Sequence, residues 1–139
     1  MPNRRILSLW FPRLAAERLL RLDPGPMDAP FAVVADRGNL QVLSSLNHLA
    51  EAEGLSRGQP VRDAQAMCPG LVTRLANPQA DAAFLSVLRR WAGKFSPWVG
   101  EEPPTSLVVD LTGCAHLFGG EEPLLAQLAE DCADLGLSV

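Results

Sequence analysis

From Glu101 to Val139 the sequence has no lysine or arginine, yet it holds eight acidic residues. All 12 basic side chains lie in residues 1–100 with the other eight acids, so a stretch of +4 precedes one of −8. A self-sufficient nucleic-acid binder usually carries a basic stripe. Here the C-terminal stretch repels phosphate, and DNA affinity carried by these residues alone is expected to be weak. Cysteine is scarce: Cys68, Cys114 and Cys132 are odd in number and without paired spacing. That excludes a disulfide framework and predicts reduced core thiols. With His48 and His116 the only histidines, no cluster has zinc spacing. No apolar run approaches the length of a membrane span. Ile6 to Phe11 is too short for a signal peptide, and Pro12-Arg13 interrupts it. Internal repeats and low-complexity segments are missing too. These absences predict a cytoplasmic protein, and 139 residues make one domain or a piece of one.

What is present is a core, since 47% of residues are hydrophobic. Leu107-Val108-Val109 is short, β-branched and stopped by Gly113 after Asp110-Leu111-Thr112, which predicts a buried central strand and then a loop. Arg5 to Phe11 predicts a first strand, buried on both faces. Pro12 suits the first turn of a helix, with Phe11, Ala15, Leu19 and Leu22 as its apolar stripe and Arg18 turned outward. Pro30–Ala35 and Leu40–Leu43 predict a hairpin, and Leu46–Glu53 a helix stopped by Gly54. Residues 30–75 are expected to have few long-range partners and high mobility. Pro78 to Phe95 predicts a long helix whose stripe of Phe84, Leu88, Trp91 and Phe95 is core. A last helix follows Gly119-Gly120 with acids at its positive end, facing the core through Leu124, Leu128, Cys132 and Leu135.

The order of five short segments resembles the Y-family translesion DNA polymerases. They are the strand-turn-helix at 6–17, G-x-x-x-G-x-P at 54–60, C-P-x-L-V at 68–72, F-S-P-x-V at 95–99 and D-L-T-G at 110–113. Each is weak alone; the ordered set is specific and covers nearly the whole chain. The resemblance implies an α/β (α+β) fold, the N-terminal part of a polymerase palm, with a mixed sheet packed by two long helices and a small fingers-like insertion. It implies a palm strand at 1–11, a fingers-like region at 12–77 and further palm at 78–139, without thumb or little finger. The family's first metal-binding aspartate falls on Trp10, and the residue whose carbonyl meets the second metal falls on Pro12. Its catalytic Asp-Glu pair falls on Thr105 and Ser106. The aromatic that screens the sugar hydroxyl falls on Ala15, and the triphosphate-contacting Tyr and Arg fall on His48 and Glu51. A carboxylate beside a phosphate costs about 1 kcal/mol at 4 Å in water and several at a partly buried site.

Two-metal nucleotidyl transfer needs hard oxygen ligands around cations about 3.5–4 Å apart. Tryptophan cannot ligate magnesium, so no catalytic residue, no metal ligand and no cofactor is expected. Trp10 is expected to be buried where ions would sit, so that Trp10→Ala costs about 3–5 kcal/mol. Glu101 and Glu102, in a proline-flanked loop, are the acids nearest for a displaced site. Asp110 is expected to serve as a turn carboxylate, and His116 to be no ligand because its neighbour Phe118 packs. This pattern of loss is similar to the catalytically degenerate ImuB group of that family. The likeness implies a non-polymerising adaptor in damage-induced mutagenic translesion synthesis and repair. Its expected partners are the sliding clamp, a RecA-like accessory protein (ImuA) and an error-prone C-family polymerase. The alternatives are an active polymerase with displaced ligands and an interaction domain that never meets DNA.

Overall fold

The structure is a computed structural model that describes residues 4–139. It is a mixed α/β fold of six strands, five α-helices and one short 3-10 turn. Two compact units divide it. One joins the start of the chain, through Pro12, to Gln79–Val139; the other is Arg13–Pro78.

The first unit is built on β6 (Ser106–Asp110), which lies between β1 (Ile6–Trp10) and β5 (Val99–Glu102) in an antiparallel sheet. Leu107 and Val109 alternate with half-buried neighbours and are fully buried, so the central strand stands where its apolar run placed it. Leu9 pairs with Leu107 and Leu7 with Val109, which turns these leucines to the same inner face. That face is apolar and meets the buried side chains of α4 (Pro78–Ala92) and α5 (Glu121–Asp134). In α4 the buried residues are Leu85, Leu88 and Ala92, with Phe95 just beyond the helix. Phe95 holds Trp91 edge-on at 5.5 Å and Phe118 at 5.4 Å, a geometry that adds to simple area burial. In α5 the stripe is Leu124, Leu128 and Cys132. Ser96 explains the F-S-P-x-V segment. Its buried hydroxyl donates to the Asp110 carbonyl at 2.5 Å and accepts from the Trp98 N–H at 3.1 Å, which ties the entry of β5 to the end of β6.

Two expectations for this unit fail. β1 is buried on one face only: Leu9 is inside, while Ile6, Ser8 and Trp10 point outward. Nothing in the described residues covers that side, so the continuous apolar sequence does not mean two buried faces. Glu101 and Glu102 are not in a loop; they form β5, paired with Leu107 and Ser106.

The second unit has its own sheet, with β2 (Phe31–Arg37) central between antiparallel β3 (Leu40–Leu46) and parallel β4 (Val72–Leu75). The mixed pairing is therefore here. Phe31, Ala32, Val33 and Val34 are all buried because both faces are covered. Phe31 and Val33 pack with Ala16 of α1 (Leu14–Leu22). Ala32 and Val34 pack with Ala50 of α2 (His48–Ala52) and Ala64 of α3 (Val61–Met67). Residues 30–75 thus hold a core of their own, against the expectation of few long-range partners. The stripe of α1 is also rephased. The helix starts at Leu14, and Leu14, Ala16 and Arg18 are buried while Leu22 is exposed.

Asn47 pins this unit together. Its side chain accepts from the N–H groups of Phe31 (3.0 Å) and Ala50 (2.9 Å) and donates to the Ala29 carbonyl at 2.8 Å. One buried residue thus caps α2 and fixes the start of β2. Gly58 adopts a left-handed φ of +84°, where a side chain is strained. Its N–H reaches the Leu43 carbonyl at 2.8 Å, which lays the G-x-x-x-G-x-P segment along β3.

The Arg5 carbonyl accepts from Leu111, and the Phe11 N–H donates to Thr105. Antiparallel alternation then points the backbone groups of Ile6, Ser8 and Trp10 to the other edge, where no described strand pairs with them. Such edges recruit strands. The isolated 139-residue polypeptide should self-associate at micromolar concentration in sedimentation velocity; a monomer throughout would refute that. Denaturant unfolding should show Leu107→Ala to cost about 2–5 kcal/mol and Trp10→Ser no more than about 0.5.

Candidate functional site

The positions singled out in the sequence fall into both units. In the first, register sets Trp10 opposite Ser106, and Ser106 opposite Glu102, in one row across the sheet end. The Phe11 N–H donates to the Thr105 carbonyl at 2.9 Å, so Thr105 stands beside the strand that carries Trp10 and leads into Pro12. Trp10, Pro12, Thr105 and Ser106 are thus drawn to one end of the sheet. Trp10 does not fill a buried space there: it is 56% exposed. The expected burial fails because even-numbered residues of β1 face away from the helices, and the predicted cost of Trp10→Ala falls with it.

Glu102, expected in a loop, is another residue that sequence reasoning placed wrongly. It is exposed and shares a row with Ser106 and Trp10. Its only signal was the alternation of β5 through Val99-Gly100-Glu101-Glu102, which the following prolines obscured. Glu101 points to the opposite face, where Arg89 meets it at 3.0 Å and Ser86 donates to it at 3.0 Å. The hard-oxygen set at this sheet end is one carboxylate, two hydroxyl side chains and carbonyls. Among the described residues no three His, Cys, Asp or Glu side chains come together in a way that could hold a metal ion. A pair of magnesium ions does not fit these residues.

Asp110 does the work of a turn residue. Its carboxylate accepts the Thr112 N–H at 2.9 Å, and Arg4 stands 3.6 Å away. The Thr112 hydrogen bonds, then Arg4, hold its carboxyl below the usual aspartate range. His116 is exposed within the 3-10 turn Ala115–Phe118, and Phe118 packs on Phe95. Cys68 and Cys132 are buried and Cys114 half-buried, none of them in a disulfide.

In the second unit, Ala15 is half-buried on α1, while His48 and Glu51 are exposed on α2. Glu51 takes a hydrogen bond from Arg13 at 2.7 Å. That ion pair satisfies the carboxylate within the chain.

At the far side of the first unit Arg5 grips Glu121 with two nitrogens, each 2.6 Å from an oxygen. The Arg5 hydrogen bonds lower the Glu121 pKa, and Glu121 in turn raises that of Arg5. Asp131 is lowered by Lys94 first and by Gln127 next.

The fold is that of the front of a Y-family polymerase. A Y-family polymerase chimera of Dbh superimposes with a TM-score of 0.79 at 16% identity, over 93% of this chain and 39% of that one. The insertion ternary complex of Dbh DNA polymerase gives 0.75 at 16%, over 91% and 37%. DinB from Sulfolobus solfataricus gives 0.73 at 17%, over 91% and 36%. At such identities the likeness is one of fold. Sequence carries it further: residues 9–139 match the impB/mucB/samB family, and the chain belongs to that family. Protein ImuB of Caulobacter vibrioides is 42% identical over 84 residues, which are 60% of this chain and 18% of that protein. DNA polymerase IV of Marinomonas sp. is 30% identical over 92 residues, 60% of this chain and 26% of the relative. The chain thus spans about a fifth to a quarter of these relatives' length. Among the described residues no helix is long and apolar enough to cross a membrane.

Lowered carboxylate pKa values stabilise the fold above the unfolded value and lose that contribution as pH falls through the folded one. Asp110, Glu121 and Asp131 all shift this way. Melting temperature should therefore fall as pH drops from about 5 to about 3. Glu121→Gln should flatten part of that slope, by a small loss of stability at neutral pH with little change near pH 3, as expected for an exposed pair. A melting temperature flat over that range would refute the assignment.

Proposed function

We propose that this chain is the palm and fingers portion of a non-catalytic Y-family polymerase homologue that acts as an adaptor in damage-induced translesion synthesis and DNA repair. The observation that carries this is the row Trp10–Ser106–Glu102, with Thr105 beside it. At the positions where the family resemblance places carboxylates stand an indole and two hydroxyls. Nucleotidyl transfer by two metals needs several hard oxygens to neutralise and orient two cations. A second feature supports the reading. Glu51, aligned with a triphosphate contact, is a carboxylate already paired with Arg13. The 42% identity to Protein ImuB points to the same branch. On this reading residues 1–11 and 78–139 are palm, and 12–77 are the fingers-like region. The full-length protein would bridge the sliding clamp, a RecA-like accessory protein and an error-prone C-family polymerase, and it would act in the cytoplasm.

Glu102 favours one rival, an active polymerase with a displaced ligand. It is an exposed carboxylate in the right row. One carboxylate against two divalent cations leaves most of their charge uncompensated, so we rank this reading second.

The test is primer extension by the full-length protein with magnesium or manganese. No extension is expected, and Trp10→Asp alone should not restore it because the facing strand still lacks its pair. Turnover that is abolished by chelator and by Glu102→Gln would establish the rival.

A further inference from the structure

No further inference is drawn: the strongest candidate, the open groove of the second unit lined by Arg37, Arg57, Ser44 and Gly58 beside the β2–β3 hairpin, carries nothing new, because a phosphate-bearing strand held by its two arginines would restate the nucleic-acid binding established for the Y-family polymerases whose fold the chain shares.

Discussion

The register of β1 against β6 is the constraint on which the first unit depends. Leu9 opposite Leu107 and Leu7 opposite Val109 place the strands' inner side chains over α4 and α5. A slip of one residue would carry these side chains to the other face and drive Trp10 and Ser8 toward the helices. The same register aligns Trp10, Ser106 and Glu102 and puts Trp98 beside Asp110. The core and the outer face are two consequences of one pairing. The core is apolar, while the outer face mixes Ile6, Trp10 and Val108 with Ser8, Ser106, Asp110 and Glu102.

The second unit solves its packing differently. Because α1 covers one side of β2 while α2 and α3 cover the other, its central strand is buried from Phe31 to Val34. The polar groups this traps are satisfied by Asn47, whose side chain serves two N–H groups and one carbonyl. A buried amide so used is worth more than its own hydrogen bonds, since removing it would orphan groups at both a strand start and a helix start.

On the function proposed above, the sheet end keeps a polymerase scaffold while its chemistry is replaced. Hydroxyls and an indole satisfy the geometry of strand pairing as well as carboxylates do. They remove mutual carboxylate repulsion and give the strands no need of cations. Arg13 does the same for Glu51 in the other unit, where an internal ion pair takes up the charge.

Sequence alone determined much. The central strand at 107–109, the β2–β3 hairpin, the long helix and its Phe95 anchor, and the turn role of Asp110 were legible, because periodicity and turn chemistry are local. So was the family, because an ordered set of short motifs carries it even where single positions differ. Strand faces were not legible. An apolar run such as Ile6–Trp10 reads alike whether one face is covered or two, and only the placement of α4 and α5 on one side left Trp10 exposed. Glu102 was hidden for a related reason, since prolines after it suggested a loop while its pairing with Ser106 is a property of another strand. The phase of α1 followed from where its first turn begins, and the core of residues 30–75 from partners distant in sequence. Each is a non-local contact, and non-local contacts are what tertiary structure alone decides.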